Sequence, residues 1–288
     1  MKRLLFFLLT CLSLSLPAAG RERPEELRLE VEFFADSLRA GRALGAPGSQ
    51  AVIFYLTRQL RDAGLQTSVQ SFVESGRIGH NVVAVTPGSF SKYVVVSAYL
   101  DGLGTLDDTL YPGADANASG LAALLALARE FNDGRKRATG LIFVAFDGHN
   151  TNLAGSRAFL ERYREVYPIS LLVNLDILGS TLAPVNKERP NYLMALGGRE
   201  FWFNLESASF RAGIDLTFDY YGSDAFTEIF YRQVSDQRWF LEAGIPAVMF
   251  TSGITMNTNK ASDTPDTLDY EILDRRIQLI ARWLTIVL

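Results

Sequence analysis

Leu141-Ile142-Phe143-Val144-Ala145-Phe146-Asp147-Gly148-His149-Asn150 decides how the rest of the chain is read. Its first six residues are apolar without interruption, the pattern of a strand covered on both faces. Asp147-Gly148 then breaks the run as a turn pair, and His149 and Asn150 follow. Open α/β sheets bind their ligands in the crevice beyond the carboxyl ends of such strands. The residues just after an apolar run are therefore the candidates for chemistry.

The same reading extends in both directions. Tyr93 to Leu100 is an apolar run closed by Asp101, and Leu171 to Leu175 is closed by Asp176. Ala247 to Phe250 is a further buried strand, while Thr67 to Phe72 and Asn81 to Val85 are strand-like. Helical runs alternate with these. Glu25 to Leu44 places Val31, Phe34 and Leu38 on one face. Ser49 caps a helix through Ala63 that Gly64 stops. Leu121–Phe131, Ser156–Tyr163, Phe201–Ala212 and Tyr270–Leu288 complete the set. Strands alternating with helices predict an α/β fold, a three-layer sandwich with a largely parallel sheet.

Composition is compatible with this. The chain has 288 residues, 48% of them hydrophobic and 21% charged, enough to bury a sizeable core. The formal charge of −4 leaves no basic excess, so nucleic acid is not an expected partner. One cysteine, Cys11, excludes an intramolecular disulfide framework. Histidine is the most limiting count, with His80 and His149 alone.

The first twenty residues have the layout of a signal peptide. Lys2 and Arg3 precede an apolar run from Leu4 to Leu16, too short for a comfortable membrane span, and Pro17-Ala18-Ala19-Gly20 offers small residues for cleavage. Leu8-Leu9-Thr10 before Cys11 makes a poor lipid-anchor signal. The expectation is a signal peptide over 1–20 and a single α/β domain over 21–288. The protein would then be exported, periplasmic or secreted, with no membrane span after cleavage.

A resemblance emerges at the strand ends. Tyr93 to Asp101 resembles the strand that ends in G-A-H-Y-D in the dinuclear-zinc aminopeptidases, metallopeptidase family 28. Gly113-Ala114-Asp115-Ala116-Asn117-Ala118-Ser119-Gly120 resembles their G-A-D-D-N-A-S-G, and Phe143 to Asn150 their F-x-A-F-D-G-E-E. Gly155-Ser156-Arg157 and Gly244-Ile245-Pro246-Ala247 match further blocks. Asn174-Leu175-Asp176 resembles N-L-D, Ser235-Asp236-Gln237 resembles S-D-H, and Asn259 to Asp266 resembles H-x-x-x-D-T-P-D. The blocks follow one another in family order from about Val31 to the C-terminus. The resemblance implies a mixed, twisted sheet between helices, as in zinc exopeptidases, with the site at its carboxyl edge. It also implies exopeptidase chemistry, with glutaminyl cyclases sharing the fold.

Carried over residue by residue, the resemblance puts the zinc ligands at Tyr99, Ala116, Asn150, Asp176 and Asn259, and the general base at His149. Only Asp176 keeps a ligand. Zinc is bound by thiolate, imidazole and carboxylate, and neutral Asn and Tyr are poor substitutes. The expected metal content is therefore none, although the family would carry zinc. Shifting the alignment by one brings in Asp115, which with Asp176 and His149 could hold a single weak metal. Tyr99, Asp101, Asp115, Ala116, His149, Asn150, Asp176 and Asn259 together mark the former active-site pocket.

Asp101 and Asp147 can equally serve as loop or helix caps, and Tyr99, Asn150 and Asn259 as hydrogen-bond donors to a metal-free Asp176. The leading expectation is a catalytically inactive homologue with a binding or regulatory role, whose cleft accepts a peptide or other small ligand; a purely structural partner of an envelope protein assembly is a separate reading. The alternative is an active hydrolase, using one weak metal or metal-free chemistry at His149, whose ordinary pKa suits neutral pH. A triad built on Ser119 or Ser156 is a further alternative. Asn117-Ala118-Ser119 also matches a glycosylation acceptor, and the aromatics at Tyr220-Tyr221 and Phe226 to Tyr231 read as core or as a pocket wall.

Overall fold

A computed structural model describes residues 23–184, 187–220 and 222–288. The expected signal peptide, with Cys11, lies outside the described residues, as does Tyr221. The chain begins with α1 (Arg23–Ala35) and α2 (Pro47–Asp62), followed by the hairpin β1 (Gln66–Glu74) and β2 (Arg77–Val85) and then β3 (Tyr93–Tyr99). A small hairpin, β4 (Gly104–Leu106) and β5 (Thr109–Tyr111), precedes α3 (Ser119–Glu130). Next come β6 (Gly140–Phe146), α4 (Ala154–Tyr163), β7 (Ile169–Leu175), β8 (Tyr192–Leu196), α5 (Trp202–Ala212) and β9 (Asp215–Thr217). The last elements are α6 (Asp224–Gln233), α7 (Gln237–Glu242), β10 (Ala247–Thr251) and α8 (Tyr270–Val287).

Among the described residues the main sheet has eight strands in the order β1-β2-β6-β3-β7-β10-β8-β9. The central four, β6, β3, β7 and β10, run parallel. β2 joins β6 antiparallel on one side, and β8 joins β10 antiparallel on the other. The sheet is thus mixed and largely parallel, as expected. The alternation along β6 shows why its run is continuously apolar: Leu141, Phe143 and Ala145 enter one core, and Ile142, Val144 and Phe146 enter the other. Residues of α1, α2, α3, α5 and α8 fill the first core, and Phe159 of α4 and Phe240 of α7 fill the second. Tyr220, Phe230 and Tyr231 pack with Tyr192 and Met249 in a third cluster, so most of that aromatic stretch is core.

Two helix boundaries differ from the sequence expectation. The run Glu25–Leu44 is not one helix: it ends at Ala35, and Asp36 accepts a hydrogen bond from the Leu38 N–H to start a short turn. The break serves Arg42, which turns inward to full burial. Its guanidinium donates to the carbonyls of Phe34, Leu100, Pro112 and Gly113, at 2.7–3.0 Å. A continued helix would point this side chain elsewhere. The second helix starts at Pro47 rather than after Ser49, because proline fits the first helical position. The Ser49 hydroxyl donates back to the Ala46 carbonyl.

Candidate functional site

The carboxyl ends of β3, β6, β7 and β10 lie along one edge, and the loops that follow them build the site. Three buried carboxylates tie this edge together by accepting backbone N–H groups. Asp101, after β3, accepts from His149 at 2.8 Å and Asn150 at 3.0 Å, tying the β3 and β6 ends together. Asp147, after β6, accepts from Gly148 and His80, both at 2.9 Å. Asp263 accepts from Asp115 at 2.7 Å and Ala116 at 3.0 Å. Gly113 opens that segment at φ 62°, and a Cβ there would lie 2.9 Å from an Arg42 nitrogen. Asp101 and Asp147 are therefore loop clamps, the structural alternative that their sequence position allowed.

His149 sits at the centre of the candidate group. Its ring stacks on Tyr99 with centroids 3.7 Å apart and planes 11° from parallel. Its Nδ1 faces Asp236 Oδ2 at 2.9 Å, and Ser156 Oγ donates to Asp236 Oδ1 at 2.6 Å. Burial works against the charged imidazolium, but the hydrogen bond to Asp236 and the charges of Asp236, Asp176 and Asp101 outweigh it, raising the pKa to about 9. Protonated at neutral pH, His149 supplies a positive charge among buried carboxylates.

This arrangement is not a serine triad. In a triad the imidazole lies between the hydroxyl and the carboxylate, whereas here Asp236 lies between Ser156 and His149. Ser119 donates to the backbone carbonyl and the carboxylate of Asp115, at 2.9 and 3.0 Å. Its neighbour Asn117 is fully buried, donating to the Leu175 carbonyl and accepting from the Ile177 N–H. It is not accessible for glycosylation in the fold.

The remaining candidates divide. Asp176 is buried, and burial raises its pKa, countered by His149 and by a hydrogen bond with Ser235. Asn150 does not donate to Asp176 as the sequence suggested; its amide reaches Asp101 Oδ2 at 3.2 Å. Asn259 is exposed in a turn at φ 59°, and among the described residues no hydrogen bond joins it to the other candidates. Tyr99 is buried, and burial together with the surrounding aspartates holds its hydroxyl well above the usual range, so it stays neutral. Asp115 accepts the Gly179 N–H at 2.7 Å, while its Oδ2 is buried without a partner. Burial and the neighbouring Asp263 push its pKa to about 7.

A dinuclear zinc centre does not fit these donors. Ala116 has none, the Tyr99 hydroxyl is held neutral by burial and the surrounding aspartates, and the Nδ1 of His149 is committed to Asp236. No group of three or more His, Cys, Asp or Glu side chains among the described residues is placed to hold a metal ion. Beside the site, a cavity of about 660 Å³ opens between Ala43–Ala46, Gln50 and the hairpin residues Gly76, Arg77, Ile78 and His80. None of the eight candidate residues lines it.

Sequence reasoning missed the parts played by Asp236, Arg42 and Asp263. A signal for Asp236 was present. A histidine standing where the family has an acid requires a carboxylate partner, and Ser235-Asp236 is matched to a family site block. Arg42 carried no such signal, because an arginine near the end of the expected helix Glu25–Leu44 reads as solvent-exposed.

Comparison with known proteins agrees with the fold. The model of "Peptidase family M28" matches residues 81–284. Leupeptin-inactivating enzyme 1 of Streptomyces exfoliatus is 32% identical over 155 residues, 52% of this chain and 34% of its own length. A probable zinc metalloprotease of Pyricularia oryzae is 31% identical over 201 residues, 59% of this chain and 40% of its own. The matches thus span less than half the length of these two relatives. Among solved structures, BSAP, a zinc aminopeptidase from Bacillus subtilis, superposes with a TM-score of 0.74 at 13% identity, covering 92% of this chain and 95% of its own. The glutaminyl cyclase of Porphyromonas gingivalis gives 0.70 at 16% identity, covering 92% of this chain and 98% of its own. Those identities speak for the fold alone. With the family model spanning most of the chain, the protein belongs to peptidase family M28.

Proposed function

We propose that this chain is an exported M28 homologue that has lost the dinuclear zinc site and its peptidase chemistry, and that its former cleft serves to bind a peptide or another small ligand. The observation that carries the reading is the Tyr99–His149–Asp236 arrangement. It fills two positions that the family resemblance assigns to a zinc ligand and the general base with a stacked, ion-paired ring. An imidazole with a pKa raised to about 9 is a poor proton acceptor at neutral pH, which also disfavours general-base catalysis at His149. The residues 1–20 support export, and among the described residues no helix is long and apolar enough to cross a membrane.

Elemental analysis of the purified protein tests the metal arm. The expected result is well under one zinc per chain, with a melting temperature that a chelator leaves unchanged, since a site that binds nothing contributes no linkage. Two tightly held zinc ions per chain would overturn the reading. Aminoacyl chromogenic substrates test the chemical arm. Turnover that survives chelation and disappears in His149→Ala would replace the binding role with a metal-free hydrolase.

A further inference from the structure

The two edges of the sheet are built differently. β9 has three residues, and Asp215 at its start is ion-paired with Arg189 at 2.9 Å. Short, charged edges are a common protection against pairing with another chain. β1 lacks such protection. It runs for nine residues, Gln66 to Glu74, and pairs with β2 in unbroken register without a bulge. It contains no lysine, arginine or proline. Its one charge, Glu74, is neutralised within the chain by Arg157 at 2.6 Å. Among the described residues, the backbone of β1 makes no hydrogen bond to any element other than β2.

The flank of this edge is also uncovered. Gln70 and Glu74 turn toward α4, where the Gln70 amide donates to the Ala158 carbonyl at 2.7 Å. Val69 and Val73 point to the opposite face and are 44% and 72% exposed. Ile78, paired with Val73 across the hairpin, is 56% exposed. An open ladder beside an apolar strip is a template for strand addition.

We propose that two copies of this chain associate through β1, antiparallel across a two-fold axis, joining their sheets into one. The strand's own sequence selects a second copy as the occupant. With the axis at Gln70, Val69 meets Ser71, Ser68 meets Phe72, Thr67 meets Val73 and Gln66 meets Glu74. No like charges face each other, the two Glu74 side chains lie at opposite ends of the ladder, and each valine is covered by a small partner. A two-fold pairing of one surface with itself also closes at two chains and, among the described residues, leaves the main sheet only its short β9 edges.

Analytical ultracentrifugation of the purified protein tests this, with Val69→Lys/Val73→Lys as the comparison. Both positions are exposed in the single chain, so the variant should keep its circular dichroism spectrum. The expected result is twice the chain mass at about 10–50 μM, the concentration range at which a micromolar interface is populated, and a single chain mass for the variant. Amide exchange in residues 66–74 should slow as the concentration of the unmodified protein rises, a readout that does not depend on the variant. A single chain mass throughout that range would overturn the proposal, even if β1 then captured a peptide from another protein. So would a dimer that the two lysines leave intact, since its interface would lie elsewhere.

Discussion

Two sets of side chains share the carboxyl edge of the sheet, and they do different work. Asp101, Asp147 and Asp263 each accept two backbone N–H groups, and Arg42 donates to four carbonyls, so these residues hold the loops themselves. Tyr99, Ala116, Asn150 and Asn259, which the family resemblance assigns to zinc ligands, clamp no loop through paired backbone bonds. The loops are therefore held by residues other than Tyr99, Ala116, Asn150 and Asn259, so these four positions can differ from the family pattern without loosening the edge.

The largest effect should come from breaking the first set. Arg42→Met removes a buried cation and leaves four carbonyls short of donors. Burial lowers its pKa only to about 10, so the cation is present at neutral pH. Hydrogen bonds to charged groups contribute about 1.5–3 kcal/mol each and are not additive, so a total loss of about 3–5 kcal/mol is expected. Asp263→Ala, which orphans the Asp115 and Ala116 N–H groups, should cost about 2–4 kcal/mol. Asn150→Ala should cost about 1 kcal/mol or less, because its side chain contributes one long hydrogen bond. Urea unfolding midpoints measure all three. If Asn150→Ala matched Arg42→Met, the proposed division would fail.

A smaller effect sharpens the same contrast through pH. Below the ordinary histidine value of 6.5, His149 is protonated in both folded and unfolded chains, and its pairing with Asp236 contributes fully. Between 6.5 and about 9 the unfolded chain loses its proton first, so this contribution shrinks, and above about 9 it is gone. A rise of that size corresponds to roughly 3 kcal/mol. The groups facing the ring are Tyr99, Asp236, Asp176 and Asp101. Asp115 and Asp147 add a separate decline at lower pH. Burial raises both from 3.8 to about 7, so ionisation penalises the folded chain as pH climbs through that range. His149→Gln should flatten the fall in stability between pH 6.5 and 9 and leave the acidic part in place. An unchanged alkaline limb would show that His149 does not provide the charge balance of the site.

How far the sequence carried this picture depended on what each residue had to satisfy. The central strands were legible because burial on both faces demands apolar runs, and the Asp residues that close β3, β6 and β7 were legible because they interrupt them. β9 and the β4–β5 hairpin, at three residues a strand, are too short for a period to register. β8 is five apolar residues beside a loop rich in polar residues, too short a run to stand out from it. The inward turn of Arg42 was hidden because its partners are carbonyls from three separate stretches of the backbone, and backbone groups leave no trace in side-chain patterns. Asp236 became meaningful only once His149 was seen to need a carboxylate.

Asn259→Gly gives the smallest expected effect, and Asn259 the finest division between the two sets. The family resemblance assigns this position to a metal ligand, yet here the residue is exposed in a turn at φ 59°. Asparagine tolerates that left-handed conformation better than other residues with a Cβ, and glycine tolerates it without strain. If the side chain has no role at the site, only the backbone should register a substitution. Asn259→Gly should change stability by no more than about 0.5 kcal/mol, whereas Asn259→Ala should lose about 1 kcal/mol to conformational strain. A side chain engaged by a bound ligand predicts the reverse pattern in a ligand titration, with glycine and alanine equally damaging. Thermal unfolding of both variants, alone and with candidate peptides, distinguishes these cases. Equal losses of affinity would move Asn259 into the working part of the cleft, and the separation of clamps from donors would then have to be redrawn around it.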